Sequence, residues 1–471
     1  MKWTWQWLVA GLAVVSLASV APATVLRVPS EYPTIQAGID AAVEGDTVLV
    51  ADGTYTGDGN RDLDFGGVNM VVMSENGPEL TVIDCEGNFP DLHRGFHFHN
   101  GEDSSSVVQG FTITNGFRYG EGTEGSGGAI LCVDSSPTIR ANIIVGNTAS
   151  AYGGGIYCYD HSSASVQDCV IGENIADSGG GIGCDYECYV AFENNVITGN
   201  VASSGGGVMA DSCSTVRISG STITENRACY GGGFVCLQSS GVITNSILWA
   251  DSAETGSEIY VMGSCPYFWA SLSVSWSDVQ GGPSGIYDGG CSHVWWEMRN
   301  IDADPLFVAG PHGAYYLSQV AAGQVEQSPC VDAGHPDFPV PEGTTRTDEV
   351  CDAGRLDIGY HYTECVVAVG EEYREEIRTL SYRLAQNYPN PFRSGTTIAY
   401  SLAAPTWISL GIYDIQGALV RNLVRGAVSA GPHQVVWDGR DHRGQQVAGG
   451  IYFCHISVGD HTETKRMVLL R

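Results

Sequence analysis

A glycine-rich box of six residues recurs along the chain at an interval that does not change. Its five copies begin at Gly127, Gly153, Gly179, Gly205 and Gly231, each 26 residues after the last. Two further columns share this period: Asn174, Asn200 and Asn226, and Ile171, Ile197 and Ile223. Asn147 lies one residue out of register with the asparagine column. A fixed period over several copies indicates a solenoid, in which each repeat packs mainly on its neighbours.

The repeat unit has the character of short strands joined by turns. Runs such as 191–192 and 196–198 are rich in β-forming residues and are separated by Gly, Asn, Asp and Ser. No stretch of the repeats shows helical spacing of its apolar residues. Coils of this size, built from strands and stacked about 4.8 Å apart, would form three parallel sheets. The sequence therefore predicts an all-β chain whose main body is a parallel β-helix.

Each column of the repeat has a physical role in such a solenoid. The apolar column and the cysteine column two residues after it are predicted to face inward. These columns are Ile130, Ile156, Ile182, Val208 and Phe234, followed by Cys132, Cys158, Cys184 and Cys236. We interpret the cysteines as packing residues, although stacked coils would also bring some sulfurs within reach of disulfide formation. The asparagines are predicted to form an amide ladder, and the glycines to supply positive φ and close backbone approach.

A short amphipathic helix is predicted ahead of the repeats. Ile35, Ile39, Ala42 and Val43 recur at helical spacing, and Pro33 suits the first turn. This helix would cover the open apolar end of the solenoid.

The repeats resemble those of right-handed parallel β-helix proteins of the pectin-lyase-like type. The glycine box and the FxxN box at 192–195 are similar to the repeats of polymorphic outer membrane proteins. The segment 34–50 resembles the opening of many such proteins. Three later segments resemble the last coils of secreted members: 301–307, 328–334 and 354–359. The resemblance implies a right-handed β-helix over 24–365.

The charge of the chain changes sign near residue 384. Residues 24–383 carry 48 acids and 13 bases, whereas 384–471 carry 5 acids and 8 bases. We therefore expect a linker over 366–383 and a separate domain over 384–471, with turn residues spaced as in a β-sandwich. This domain resembles the FlgD-type Ig-like domains that overlap with type IX secretion sorting domains, through these segments: 388–392, 412–417, 437–441, 450–452 and 465–471. The resemblance implies export through a secretion machinery and surface attachment; a passive structural module is the alternative.

The first residues predict a secretory signal. Lys2 precedes an apolar run over 8–20, and a small-x-small cleavage site ends at Ala23, so that residues 1–23 would be removed. No later stretch is long enough to span a membrane. We expect a secreted protein, extracellular or on the outer surface of a Gram-negative-type bacterium, in a compartment that permits disulfides among its 15 cysteines. The net charge of -31 argues against a nucleic acid partner.

Motifs for polysaccharide cleavage are sparse. The chain has no Gly-His-Gly segment and no Asp-Asp pair, which disfavours a polygalacturonase-like hydrolase, and lysine occurs only at Lys2 and Lys465. A lyase base would then be an arginine with a lowered pKa. The solenoid arginines considered for this role are Arg118, Arg140, Arg217, Arg227 and Arg299. His97 and His99 lie on one strand face beside His93 and Arg94, as a candidate base or metal site whose alternative is exposed strand histidines.

Four aspartates follow the inward strand in successive coils. Asp134 and Asp160 share one column, and Asp185 and Asp211 share the next. A row of carboxylates about 5 Å apart would attract calcium. Calcium is the only cofactor that the sequence suggests, and the predicted fold does not require it. The alternative is a solvated turn edge, where Asp is a common residue.

Aromatic side chains suggest a sugar-binding surface. Tyr157 is predicted to face outward, with Tyr159 nearby, and the insertion at 259–296 adds Trp269 and Trp295. Exposed rings beside polar groups suit sugar binding; local packing of the insertion is the alternative. We therefore expect a non-catalytic adhesion or glycan-binding solenoid with a polysaccharide or surface glycan as partner. The alternative is a lyase or hydrolase that acts on acidic polysaccharide.

Overall fold

The chain divides into two units between Val366 and Val367. The computed structural model describes residues 23–363 except 298 and 342, residue 365, and the following parts of the second unit: 382–384, 387, 390, 392, 395–402, 406–414, 417–428, 431–458 and 461–469. The predicted signal peptide, apart from Ala23, and most of the predicted linker lie outside these residues. In the described part of the chain, no helix has the length and apolar character needed to span a membrane.

Three long parallel sheets form the first unit and confirm the predicted β-helix. Sheet 1 has eleven strands: Val25–Val28, Thr47–Val50, Val71–Ser74, Val107–Gln109, Thr138–Arg140, Ser165–Gln167, Tyr189–Glu193, Thr215–Ser219, Ser240–Thr244, Ala270–Ser275 and Ser292–Trp296. Sheet 2 has eight: Phe96–Phe98, Ile130–Val133, Ile156–Tyr159, Ile182–Asp185, Val208–Ala210, Phe234–Leu237, Ile259–Met262 and Ile286–Asp288. Sheet 3 has nine: Gly53–Tyr55, Thr81–Asp84, Thr112–Thr114, Ile143–Val145, Val170–Gly172, Val196–Thr198, Thr222–Thr224, Ile247–Trp249 and Asp278–Val279.

The inward columns of sheet 2 are those that the repeat predicts. Ile130 pairs with Ile156, which pairs with Ile182, and the core they form is fully buried. Cys132, Cys158, Cys184 and Cys236 lie in the same core as free thiols. The column therefore serves packing, while the two disulfides of the described residues join Cys265 to Cys291 and Cys351 to Cys365.

The asparagine column forms the predicted amide ladder at a turn of the solenoid. Asn200 donates its backbone N–H and its Nδ2 to Oδ1 of Asn226, at 3.0 and 2.9 Å, and Nδ2 also donates to the carbonyl of Ile171 at 2.9 Å. Its own Oδ1 accepts the corresponding two bonds from Asn174. Asn147 joins the ladder in spite of its shifted spacing, because the extra residue of its coil lies elsewhere.

The glycine box is required by close approach between coils. Gly153 has a φ of +59°, a conformation in which a side chain is strained. At Gly180 an added Cβ would lie 2.5 Å from the carbonyl oxygen of Gly206 and 2.7 Å from that of Val201. No rotation of a side chain relieves a clash with backbone atoms, so the glycines set the spacing of successive turns.

The predicted cap helix is present at the N-terminal end and spans Ile35–Ala41. The hydroxyl of Thr34 caps it by accepting from the N–H of Ala37 at 3.2 Å. Ile35 and Ile39 are buried against the first coil. Val43, predicted on the same face, lies beyond the helix end and is exposed, because the chain turns away after Ala42.

The segments expected to form the last coils behave differently. No strand of the three sheets begins after Trp296, and Ile301 adds a single bridge beside Asp278. Parts of the chain after Ile301 instead pack on the outward face of sheet 3, where a hairpin of Phe307–Gly310 and Gly313–Leu317 contributes aromatic residues. Tyr316 packs on Val196 there, so this segment covers the solenoid from outside. The remaining short elements of the first unit are the strands Phe117–Arg118 and Thr148–Ala149 and the 3₁₀ turns Gly122–Gly125, Gly282–Gly285 and Val320–Ala322.

The second unit consists of two antiparallel sheets that enclose one core. The first sheet contains Tyr382–Leu384, Thr396–Leu402 and Gly431–Trp437. The second contains Leu419–Val428, Thr406–Asp414, Gly450–Val458 and His461–Leu469. Trp437, from the first sheet, and Ile412, from the second, share the core, as expected of a small β-sandwich. Cys454 lies in that core as a free thiol.

Candidate functional site

The four predicted aspartates make separate contacts in the structure. Asp160 contacts His161 at 2.8 Å, and Asp185 accepts a bond from the hydroxyl of Tyr157 at 3.3 Å. Burial raises the pKa of Asp211, whose carboxylate accepts from the N–H of Ser212. Within the described residues, no group of three or more His, Cys, Asp or Glu side chains has a geometry able to hold a metal ion. Calcium binding at Asp134, Asp160, Asp185 and Asp211 stays a prediction.

Tyr157 is covered although it points out of the coil. Its neighbours Ile156 and Cys158 face the core, so that its own ring lies on the outer face of sheet 2, yet it is 2% exposed. Tyr152 stacks on it at 5.3 Å between ring centroids, and Tyr159 at 6.0 Å. Tyr159 is partly exposed. Tyr157 is therefore the covered ring of this aromatic stack and is too buried to contact a polymer.

The two predicted tryptophans lie in one row of exposed rings. His293 joins them: its ring stacks on Trp269 at 5.1 Å between centroids and makes a tilted contact with Trp295 at 5.7 Å. The two indoles are 51% and 52% exposed, and His293 is exposed as well. We call Trp269, His293 and Trp295 the aromatic row. It gives the solenoid a continuous outward surface of aromatic rings.

Local structure explains why these rings are exposed to solvent. Trp295 lies on the last strand of sheet 1, where Val294 and Trp296 face the core and fix the alternate residues outward. Trp269 lies at the end of a loop that Cys265 and Cys291 tie to the next coil. Within that loop, Ser264 and Phe268 exchange two backbone hydrogen bonds, at 2.6 and 3.0 Å. The disulfide and the bridge hold the row in place and so lower the entropy that ligand binding would lose.

A second candidate site is a cavity of about 190 Å³ beside the first strand of sheet 2. Asp62, Arg94, His97, Arg118, Thr123, Glu124 and Leu131 line it. Phe96 pairs with Ile130, which places Arg94 where the next coil has Gly128. The distance from Phe96 to Ile130 is 34 residues instead of 26, and the added residues include the 3₁₀ turn Gly122–Gly125 at the cavity wall. An irregular coil thus opens a space that the regular repeats close.

The histidines predicted near this point have separate roles. His93 bridges two carboxylates: Nδ1 contacts Asp62 at 2.5 Å and Nε2 contacts Asp91 at 2.9 Å. His97 lines the cavity, and burial and the neighbouring Arg94 lower its pKa to about 4, so its ring is neutral at physiological pH. His99 stacks on His97 at 4.0 Å.

Two features of the site region escaped the sequence reasoning. His293 carried no signal of its own, although its spacing of two from Trp295 placed both rings on one strand face. Arg94 and Arg118 line the same cavity because of the strand register of an irregular coil. Aligning Phe96–Phe98 with Ile130–Cys132 by their apolar alternation would have revealed it.

Two family comparisons agree with the architecture. Residues 74–248 and 150–295 match the family described as right handed beta helix region. Residues 393–460 match the FlgD Ig-like domain. The chain is therefore a right-handed parallel β-helix followed by an Ig-like β-sandwich. No curated protein sequence matches the chain.

Three solved structures that match parts of this chain differ widely from it. PorZ of Porphyromonas gingivalis, a surface component of the type IX secretion system, is 24% identical over 20% of this chain and 12% of its own, with a TM-score of 0.16. The rice weevil pectin methyl esterase is 12% identical over 76% of this chain and 90% of its own, with a TM-score of 0.28. A pectin methylesterase bound to a hexasaccharide is 12% identical over 68% of this chain and all of its own, also with a TM-score of 0.28. At these scores, none of the three indicates a function for this chain.

Proposed function

We propose that this chain is a secreted or cell-surface protein that binds glycans through the aromatic row and does not cleave them. The observation that carries this proposal is the exposed aromatic row of Trp269, His293 and Trp295, next to the disulfide between Cys265 and Cys291. Indoles pack on the C–H faces of sugar rings, while their N–H groups and the imidazole of His293 can bond hydroxyls. Monomeric proteins rarely expose several large rings together without a partner.

We further propose that the C-terminal domain serves export and surface attachment. The proposal is supported by the match of residues 393–460 to the FlgD Ig-like domain and by the signal-like sequence of residues 1–23. A fusion of residues 1–23, a reporter and residues 384–471, expressed in a bacterium with a type IX system, tests it: surface display supports the proposal, and retention in the periplasm contradicts it.

Removal of one indole from the aromatic row is expected to weaken glycan binding. In a screen of neutral and acidic oligosaccharides against the full chain, Trp295→Ala should lower the affinity for any bound sugar at least tenfold, since a buried tryptophan contact contributes about 2 kcal/mol or more. Calorimetry with the tightest-binding oligosaccharide measures the change.

Trp407→Ala is the matched control for that experiment. Trp407 is also an exposed tryptophan, but it lies on the β-sandwich, and its removal should leave the affinity unchanged. Failure of every oligosaccharide to bind, or equal binding by the wild type and Trp295→Ala, would contradict the proposal.

The alternative function, a polysaccharide lyase, requires an arginine base. Arg94 has the pKa that such a base needs, since burial and the nearby Arg118 lower it to about 9. Its side chain, however, is 4% exposed, and a base must reach the proton at C5 of a uronate within a polymer chain. The burial of Arg94 therefore favours binding over cleavage.

Incubation with uronate polymers is expected to yield no unsaturated products. The ultraviolet absorbance of such products measures their formation, and an authentic pectate lyase provides the positive control. Turnover that disappears in both Arg94→Gln and Arg118→Gln would show that the chain is a lyase.

A further inference from the structure

The cavity beside the first strand of sheet 2 contains a cationic group with one unpaired nitrogen among the described residues. Arg94 is 4% exposed, and its Nη1 has no hydrogen-bond partner among the described residues. Its Nη2 reaches only the carbonyl of Thr123, at 3.5 Å. A buried charged donor that lacks an acceptor costs more than a neutral one. Such a group in a native site therefore indicates an acceptor that binds there.

The carboxylates at the cavity do not supply this acceptor. Asp62 already accepts from His93 and from the backbone N–H of Arg94, at 2.5 and 3.0 Å. Glu124 is exposed at the rim, where its backbone carbonyl accepts from Nε of Arg118 at 3.1 Å. Neither carboxylate makes a hydrogen bond to Nη1 of Arg94.

A second guanidinium lies across the same cavity. Arg118 donates Nε to Glu124 and Nη1 to the carbonyl of Leu92 at 3.0 Å, and these two bonds fix its plane. Arg94 and Arg118 repel each other, and this repulsion contributes to the lowered pKa of Arg94. The lining also includes the carboxyl groups of Asp62 and Glu124, so the formal charges balance, but in a segment with 48 acids and only 13 bases the cavity brings a neutral His97 together with two arginines. An anion placed between them would offset the repulsion.

We propose that this cavity binds one anionic group, a carboxylate, sulfate or phosphate, between Arg94 and Arg118. Arginine presents a planar fork of donors that suits such oxygens. The volume of about 190 Å³ holds roughly six water-sized groups. It is smaller than the roughly 300 Å³ at which pockets for drug-sized ligands begin, so it accepts a small anion or a single acidic sugar but no longer segment of a chain. The site is separate from the aromatic row and does not depend on its function.

Calorimetry with the full chain tests the proposal with inorganic sulfate, inorganic phosphate and glucuronate, and with methyl glucoside as the neutral control. We expect saturable binding of at least one anion at one site per chain, and none of methyl glucoside. Arg118→Gln should weaken that binding at least tenfold. Glucuronate binding at least tenfold tighter than sulfate and phosphate would identify an acidic sugar as the source of the group; the reverse order would identify a free inorganic anion.

Two variants separate a binding role from a structural one. Arg140→Gln removes an arginine that lies exposed on sheet 1 and bonds Gln109; it should bind the anion as the wild type does. Arg94→Gln should lose binding while its circular dichroism spectrum stays that of the wild type, and if it does not fold, Arg118→Gln alone decides. Absence of saturable binding for all three anions, or unchanged affinity in Arg118→Gln, would overturn the proposal.

Discussion

Replacement of Asn200 by leucine is expected to lower the free energy of unfolding of the β-helix by about 4 kcal/mol or more. Leucine has the same number and branching of side-chain heavy atoms as asparagine but no polar atoms, so the change removes all the side-chain hydrogen bonds at once. The backbone N–H and Nδ2 of Asn174 lose their acceptor, and the carbonyl of Ile171 loses its donor. All of these groups are buried in the ladder, where water does not replace the lost bonds.

Denaturation in guanidinium chloride, followed by far-ultraviolet circular dichroism, measures this loss. Hydrogen exchange at the backbone amide of Asn174 localises it, because that amide should become much less protected. Asn76→Leu is the matched control: Asn76 is exposed and donates only to the carboxylate of Asp52, so its change should be within about 0.5 kcal/mol. A loss at Asn200 no larger than that at Asn76 would show that the ladder does not stabilise the fold.

The regular coils were predictable because one residue type has one role in every copy. The 26-residue period alone predicted that Ile156 would pair with Ile182 and that Cys158 would face the core. The same periodicity predicted the ladder through Asn200. In a solenoid, each repeat contacts its neighbours in the same way, so a pattern in the sequence becomes a pattern of contacts.

The irregular coils were not predictable in this way, and both candidate sites lie in them. The insertion that carries Trp269 and the turn beside Arg118 each break the period. Their geometry depends on a disulfide and on loop hydrogen bonds, which the period does not specify. Trp269 and Trp295 were selected because of their residue type, but their contact through His293 was not.

Burial of outward residues was a further limit of the sequence reasoning. Alternation along a strand correctly placed Tyr157 on the outer face of sheet 2, but Tyr152 from the preceding turn covers it. Likewise, the segment around Tyr316 was expected to add coils and instead covers sheet 3. Alternation tells which side of a sheet a residue faces, and it does not tell what packs on that side.

The asparagine ladder ends in a buried pair of carboxyl groups. Oδ1 of Asp251 accepts from the backbone N–H and Nδ2 of Asn226, at 2.7 and 2.9 Å. Ile259 pairs with Phe234, which places Glu258 where the preceding coil has Gly233. Asp251 and Glu258 are both buried, and each keeps one carboxyl oxygen without a partner among the other described groups. The sequence carried a signal for this pair: Asp251 follows Asn226 after 25 residues and continues its column with an acid.

Burial raises the pKa of both groups above their ordinary values of 3.8 and 4.5. Asp251 raises the pKa of Glu258 further, and Glu225 raises that of Asp251, whereas hydrogen bonds with Glu258 and Asn226 lower the pKa of Asp251 without cancelling the effect of burial. The folded state therefore holds protons that the unfolded state releases at its lower pKa. The stability that this pair contributes is fully present below about pH 4 and falls as the pH rises toward the folded pKa values, by about 1.4 kcal/mol per pH unit for each extra proton held.

Asp251→Asn is expected to remove one such proton and to continue the ladder. The amide oxygen of the new residue can accept from Asn226 as Oδ1 does now, and its NH₂ group can donate to Glu258. The variant should match the wild type in stability below about pH 4 and exceed it by about 3 kcal/mol near neutral pH. Denaturation in urea at intervals between about pH 4 and about pH 7 measures the difference. The contributions of titrating groups other than Glu258 largely cancel in it, because both proteins share them.

Asp58→Asn separates this effect from a general loss of negative charge. The Asp58 side chain is fully exposed and lies 3.6 Å from Arg61, so its replacement should leave the pH dependence of stability unchanged. If Asp251→Asn showed the same pH slope as the wild type, Asp251 would not hold the extra proton. If it were less stable near neutral pH, the carboxylate would be stabilising the end of the ladder, and a charged terminus would be part of how this solenoid closes.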